Sequence, residues 1–157
     1  MLRTSFCAVV VAVVLSPSVG SGQELPDRII KYFAGSWTVT GPEEGQTATS
    51  NWKVVAGGRA IAGGGTNSQT GEHFGFGRWL SDDKIWVHDW AEEKGGYGHL
   101  ETTRFEKDTY YGKVKQVDEA GKAIVAELRV KIIDHDHFEY IASAGEVKRT
   151  SRWTRQK

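Results

Sequence analysis

Polar and apolar residues alternate along the chain after Gly35, and this period of two is typical of β-strands with one buried face. Residues that favour turns, mainly Gly, Asp, Asn and Ser, interrupt the alternation about every eight to twelve residues. The pattern predicts ten strands with the sequences SWTVT, TSNWKVV, RAIAGGG, HFGFGRWL, KIWVHDW, YGHLETTRF, TYYGKVKQV, AIVAELRVKII, HFEYIA and VKRTSRWTR.

The segment LPDRIIKYFAG, just before the first strand, has a different period and predicts the one α-helix of the chain. Pro26 and Asp27 are suited to its first turn, and Gly35 is suited to its C-terminal end. Its apolar stripe consists of Ile29, Ile30 and Phe33.

Ten short strands joined by tight turns, with no helices to cover their faces, most simply remove their edges by closing into a barrel. Glycines inside the strands support closure, since they suit strongly coiled strands and close backbone approach. These glycines are Gly63–Gly65, Gly75, Gly77, Gly98 and Gly112. The predicted fold is therefore all-β: an antiparallel up-and-down meander barrel of about ten strands with one short N-terminal helix.

Residues 1–22 have the order of a secretory signal peptide. Arg3 precedes an apolar run, Phe6–Leu15, that is too short to span a bilayer and gives way to small residues. Cleavage after Gly20 or Gly22 fits the small residues there, and Cys7 lies too early for a lipid anchor. We therefore expect an exported protein, periplasmic or secreted, with residues 23–157 as a single β-barrel domain.

Composition narrows the possible functions of the mature domain. Loss of Arg3 leaves 19 basic residues against 20 acidic ones, so no basic excess favours nucleic acid or an anionic membrane surface. Because the single Cys and the single Met lie at Cys7 and Met1, the mature chain contains no sulfur. Disulfides, thiolate zinc sites and cysteine nucleophiles are thereby excluded, which favours a bacterial periplasm over the disulfide-rich secreted class.

The stretch AGSWTVTG, with Gly35-Ser36-Trp37 after a short helix, resembles the Gly-x-Trp signature of lipocalins and related calycins. This resemblance implies a barrel closed at one end by an Arg or Lys of the last strand over the tryptophan. Here Arg152 and Arg155 are the candidates. The stretch WKVVAGGRAI and the closing Trp-Thr-Arg also resemble a bacterial family of lipocalin-like domains of unknown function. Neither resemblance supplies catalytic residues; both imply a ligand cavity or a filled interior.

If the large apolar side chains face inward, three consecutive strands send aromatic and ionisable residues into the barrel. The predicted ligand-binding residues are Trp52, Phe74, Phe76, Arg78, Trp86, His88, Trp90, Tyr97, His99 and Glu101, above a floor formed by Trp37. Unpaired ionisable groups are costly to bury in a purely structural core, whereas ligand pockets combine an apolar lining with a few polar groups. The alternative is that one or more of these strands face outward, with solvated charges and a filled barrel.

Acid–base chemistry has three weak candidates. His88 and Asp89 are adjacent in one strand and point to opposite faces, so they cannot form a dyad. His99 and Glu101 share a face and are the better pair, and His88 on the neighbouring strand would join them inside the barrel.

The tetrapeptide DHDH, Asp134–His137, has donors for a metal ion, but it falls between two apolar strands where Asp and His are ordinary turn residues. The turn interpretation is favoured, and no metal site is predicted.

The first hypothesis for function is a non-enzymatic exported barrel that binds a small apolar or aromatic molecule in its interior. Three alternatives stay open: a barrel enzyme using His99 and Glu101, a haem-binding barrel using one of the five histidines, and a structural protein with a filled core. No cofactor is predicted by the sequence pattern, and haem is the one cofactor considered. The expected partner is a small apolar molecule, not nucleic acid or, after signal cleavage, a membrane.

Overall fold

The computed structural model describes residues 24–80 and 85–157. The predicted signal peptide, residues 1–22, lies outside the described residues. The elements are α1 (Asp27–Phe33), β1 (Gly35–Thr40), β2 (Thr47–Val55), β3 (Ala60–Asn67), β4 (Gly71–Leu80), β5 (Ile85–Glu92), β6 (Tyr97–Glu106), β7 (Thr109–Val117), β8 (Ala123–Ile132), β9 (His137–Ala144) and β10 (Val147–Arg155). A short 3-10 turn, Ala56–Gly58, joins β2 to β3.

The ten strands form a closed antiparallel barrel in which every strand pairs with its neighbours along the chain and β10 pairs with β1. Thr38 lies opposite Thr154, and Val39 lies opposite Trp153. Closure leaves no strand edge unpaired. The predicted all-β meander barrel with one short N-terminal helix is confirmed.

Helix α1 covers one end of the barrel, which we call the plug end. The helix is anchored there by Leu25, whose backbone N–H donates to the carbonyl oxygen of Gly58 at 2.8 Å. Ile29 is fully buried, and the ring of Phe33 packs against Trp86, Tyr110 and Phe138 with ring centroids 5.4–6.5 Å apart. The apolar stripe of the helix therefore becomes the base of the barrel core.

The opposite end, which we call the mouth, consists of the turns that follow β1, β3, β5, β7 and β9. These turns are built by short polar segments, such as Asp118–Lys122, where the Asp118 carboxylate accepts backbone N–H bonds from Ala120 and Lys122. The two ends thus differ: one is sealed by an apolar helix and the other is ringed by polar turns. In the part of the chain that the structure describes, no helix is long and apolar enough to cross a membrane.

Candidate functional site

The barrel interior holds a cavity of ≈ 300 Å³ that extends from the plug end to the turns of the mouth. Its deep part is aromatic, with Phe33, Trp37, Trp86 and Phe138 nearest the helix. Residues nearer the mouth are polar: Gln46, Thr47, Asn67, Glu92 and Gln116. The described barrel is therefore hollow rather than filled, with an apolar base and a polar entrance.

Strand β5 supplies one wall of the cavity through the alternation seen in its sequence. Trp86, His88, Trp90 and Glu92 all line the cavity, as a period of two requires. The face predicted for the first three is the face that they occupy, and Trp52 of β2 also lines the cavity. That these residues bind a ligand stays a prediction.

The inward orientation predicted for β4 and β6 is wrong. The side chains predicted to face inward from these two strands lie on the outer surface, where the exposed fraction is 62% for Phe74 and 57% for Tyr97. The residues displaced to the outer face by this finding are Phe74, Phe76, Arg78, Tyr97, His99 and Glu101.

Glycines explain why the smaller face of β4 and β6 turns inward. Gly77 lies beneath the ring of Trp86, and Gly98 lies beneath the ring of Trp90, so a Cβ at either position would overlap an indole. Gly75 similarly faces the ring of His88. The large side chains of β5 fill the space above these glycines, and a second layer of aromatic rings from β4 and β6 would not fit there.

His88 is a deeply buried ionisable group of the cavity wall. Its ring meets Trp52 edge to face at 4.9 Å between centroids and lies 5.7 Å from Trp90. Its Nε2 is buried and has no hydrogen-bond partner in the described protein. Burial lowers the pKa of His88 to about 4, against a smaller opposing effect of Asp89, so the imidazole is neutral at pH 7.

A second histidine, His73 of β4, lies in the same cavity and was not among the predicted site residues. Its Nε2 lies 3.1 Å from Oγ of Ser50, and burial lowers its pKa. Trp52 lies between the two imidazoles, with its ring centroid 6.4 Å from that of His73. Two neutral imidazoles around one indole give the cavity hydrogen-bonding capacity without positive charge.

Three residues that line the cavity carry buried polar atoms without a partner in the described protein: His88 at Nε2, Trp153 at Nε1 and Gln46 at Oε1. Buried polar atoms in folded proteins almost always have a hydrogen-bond partner. Trp153 Nε1 can only donate, whereas the neutral His88 ring can present an acceptor at Nε2. The wall therefore contains both donor and acceptor atoms that have no partner among the described residues.

His99 and Glu101 pair as their spacing predicts, but on the outer surface. His99 Nε2 lies 3.0 Å from Glu101 Oε1, and its Nδ1 lies 2.5 Å from Asp89 Oδ1 on β5. Hydrogen bonds to Asp89 and then Glu101 raise the pKa of His99, and the bond to His99 lowers that of Glu101. Arg78 adds an ion pair to Asp89 at 3.4 Å.

The prediction that His88, His99 and Glu101 form one catalytic site inside the barrel is therefore wrong. His88 faces the cavity, and the other two face solvent on the opposite side of the barrel wall. Adjacent strand residues alternate in direction, so the wall of the sheet separates them.

The barrel closure is made by Arg155. Its guanidinium lies 4.2 Å from the ring centroid of Trp37 and donates to the carbonyl oxygens of Ala34 at 2.7 Å and Lys31 at 2.9 Å. Arg152, the other candidate, is wrong for this role: it points outward and bonds Glu139 at 3.4 Å. Because Arg155 lies at the plug end beside α1, it can cover the tryptophan and bind the helix carbonyls together.

Asp134–His137 forms the turn between β8 and β9, as the turn interpretation predicts. His137 Nδ1 lies 2.8 Å from Asp134 Oδ1, and the Asp136 backbone N–H donates to the same carboxylate oxygen at 2.8 Å. These contacts lie within the turn itself, at the plug end and away from the cavity.

Several residues of the cavity lining were not predicted, although the sequence pattern contains a signal for some of them. Glu92 continues the series of Trp86, His88 and Trp90 at the same spacing, so extending the alternation by two residues would have found it. His73 shares a face with Gly75 and Gly77. No comparable signal marks Gln46, Ser151 or Tyr140, whose place in the lining depends on how the barrel coils.

The chain matches no protein-family model, and no curated protein matches it. Among solved structures, it is similar to a redesigned β-barrel, b11L5F_LGL, at 12% identity over 79% of this chain and 91% of that chain, with a TM-score of 0.40. A second similar structure is a redesigned β-barrel, mFAP1, bound to DFHBI, at 17% identity over 78% of this chain and 94% of that chain, also with a TM-score of 0.40.

Proposed function

We propose that this protein is a non-enzymatic barrel that binds a small, largely apolar or aromatic molecule in its interior. One observation carries the proposal: an aromatic cavity of ≈ 300 Å³ contains a buried, neutral imidazole whose Nε2 has no partner among the described residues. An apolar lining with a few convergent polar groups is the usual design of a small-molecule site.

The lining favours a flat ligand. Trp52 and Trp90 flank His88, and Trp86 and Phe138 lie deeper towards the plug. Aromatic side chains bind flat, polarisable groups through offset stacking and edge-to-face contacts. A cavity of this volume is at the small end of the range for ligand pockets of roughly 300–1,000 Å³.

The lipocalin-like resemblance and the export of the protein belong to the same proposal. The closure of Trp37 by Arg155 supports the likeness to lipocalins, because it joins the first and last strands beside an N-terminal helix. A signal peptide at residues 1–22 would deliver the domain to a periplasm or to the extracellular space, where a single-mouthed barrel would carry or sequester its ligand.

Native mass spectrometry with an absorption spectrum, on mature protein exported by a bacterial host, tests the proposal directly. We expect a reproducible extra mass that disappears on denaturation. In parallel, the neutral fluorophore N-phenyl-1-naphthylamine should bind with enhanced emission. His88→Ala should weaken this binding about fivefold to tenfold because a hydrogen-bond acceptor is lost.

His99→Ala is the matched control, since it removes the same type of side chain from the outer face and should leave binding of the fluorophore unchanged. The absence of fluorophore binding together with a clean apoprotein mass would contradict the proposal. Equal effects of the two substitutions would show that the fluorophore binds outside the cavity.

Haem binding is a second candidate, favoured by the same unpartnered Nε2, because a neutral imidazole nitrogen is the common protein ligand of haem iron. Titration of the purified protein with haem should then produce a Soret band that His88→Ala abolishes and His99→Ala preserves. A titration without such a band removes this candidate and leaves the first one intact.

A further inference from the structure

We propose that the cavity selects ligands with one positive charge on an aromatic or otherwise apolar body, and that Glu92 is the counterion of that charge. This inference rests on the proposed function and specifies its ligand class.

The first observation is the charge of the cavity lining. Among the described residues that line it, Glu92 is the single acidic side chain, and no Lys or Arg is present. Both histidines of the wall are neutral because burial lowers their pKa values. The site is therefore acidic, although the whole chain has equal numbers of acidic and basic residues.

The second observation is the position of Glu92. It ends β5 on the cavity side, as the next residue after Trp90 on that face, and lies opposite His73 in the register of β4 and β5. Burial raises the pKa of its carboxyl group, and a hydrogen bond from the Trp90 side chain offsets part of that rise. No ion pair reaches Glu92 from the described residues.

The basic residue that follows Glu92 in the turn is bonded elsewhere. The ammonium group of Lys94, two residues further on, donates a hydrogen bond to the carbonyl oxygen of Gln69 across the mouth. A half-buried carboxylate without a cation is costly, and a ligand cation would remove that cost by pairing with it.

The third observation is independent of charge. Trp52, His88 and Trp90 form an aromatic wall of the cavity that Glu92 also lines, and His88 Nε2 is buried with no partner among the described residues. A wall of indole rings attracts a cation through their negative faces, and the Nε2 acceptor can take an N–H of the ligand. The same wall accepts the apolar body of the ligand. An anionic ligand would instead meet the Glu92 carboxylate with no positive group to offset the repulsion.

Three indoles with side-chain groups of different charge test the inference by isothermal titration calorimetry at pH 7: tryptamine, which is cationic, tryptophol, which is neutral, and indole-3-acetate, which is anionic. We expect tryptamine to bind about tenfold more tightly than tryptophol and indole-3-acetate to bind most weakly. Glu92→Gln should bring tryptamine to within about twofold of tryptophol while leaving tryptophol unchanged.

Glu119→Gln is the matched control. Glu119 is an exposed acid in the turn between β7 and β8, also at the mouth but outside the cavity lining. It should preserve the preference for tryptamine, which excludes a general effect of negative charge around the entrance. The wild-type comparison of the three ligands keeps the inference testable even if Glu92→Gln folds poorly.

The outcomes separate the inference from the proposed function. Equal binding of tryptamine and tryptophol by the wild type, or an unchanged preference in Glu92→Gln, overturns the charge selection alone. If none of the indoles binds while N-phenyl-1-naphthylamine does, the inference fails and the cavity still binds a ligand. If the fluorophore also fails to bind and the native mass is that of the apoprotein, the proposed function falls with it.

Discussion

His88 and His99 lie on neighbouring strands and differ in almost every physical respect. His88 faces the cavity, and burial lowers its pKa to about 4. His99 faces solvent between Asp89 and Glu101, and its hydrogen bonds to these carboxylates raise its pKa. Since Asp89 follows His88 directly, a single step along β5 changes an apolar cavity wall into a charged outer surface.

The contrast extends to the aromatic residues of the same strands. Trp86 is buried at 7% exposure inside the barrel, whereas Phe74 on β4 is 62% exposed outside it. Aromatic content therefore does not identify the inner face of this barrel. The inner face is identified by complementarity, because a large residue of one strand lies over a glycine of the next.

Replacing Trp86 and Phe74 by alanine tests the difference between the two faces with the largest expected effect. Trp86→Ala should lower the free energy of unfolding by about 3–5 kcal/mol, because it opens a large cavity and removes the packing of the indole against Phe33. Phe74→Ala should change it by roughly 0.5 kcal/mol or less. Urea denaturation of both variants measures the difference, and equal costs would contradict the assignment of inner and outer faces.

The pH dependence of stability sharpens the comparison through His88. Its folded pKa of about 4 lies below the usual value near 6.5, so the unfolded chain binds the proton more readily. This difference in pKa has no effect on the free energy of unfolding above about pH 6.5. As the pH falls to 4, it lowers that free energy by about 3 kcal/mol.

His88→Gln should remove this part of the acid sensitivity, while the smaller part due to His73 remains. Urea denaturation between pH 4 and 7.5 compares the variant with the wild type. Parallel pH profiles for the two proteins would contradict a buried neutral His88.

Two arginines of β10 extend the comparison from the wall to the plug end. The side chain of Arg155 is 16% exposed and bonds two backbone carbonyl oxygens over Trp37, whereas that of Arg152 is 77% exposed. Arg155→Ala should therefore cost about 2 kcal/mol, and Arg152→Ala should be nearly neutral. Thermal denaturation distinguishes them; a larger cost for Arg152 would show that the closure has been assigned to the wrong residue.

The smallest expected effect belongs to His99. Its raised folded pKa gives stability that is fully present below the unfolded value near 6.5 and is lost as the pH rises through the folded pKa. His99→Gln should therefore cost less than about 1 kcal/mol at pH 6, since the pair is partly exposed, and nothing at pH 9. The sign is opposite to that of His88, and a larger cost at pH 9 than at pH 6 would contradict the ion pairs.

The strands and their order could be predicted from sequence because turn residues and period-two alternation are local properties. The direction of each face could not. On β4, one face carries Phe74 and Phe76, and the other carries Gly75 and Gly77. Which face points inward depends on the space occupied by Trp86 and His88 of the next strand. A rule that sends large apolar groups inward fails where one strand already supplies the bulk. The lining of the cavity could be identified only in the closed barrel, because Trp153 and Gln46 reach it from β10 and from the β1–β2 turn.

The pairing of β1 with β10 also has a consequence for how the chain folds. Every other strand pair joins neighbours along the chain, whereas the backbone N–H of Gln156 bonds the carbonyl of Ser36 across 120 residues. Nine hairpins can form locally, and this one long-range step completes the ring. We expect this pairing, which closes the longest loop of the chain, to be the slow step of folding.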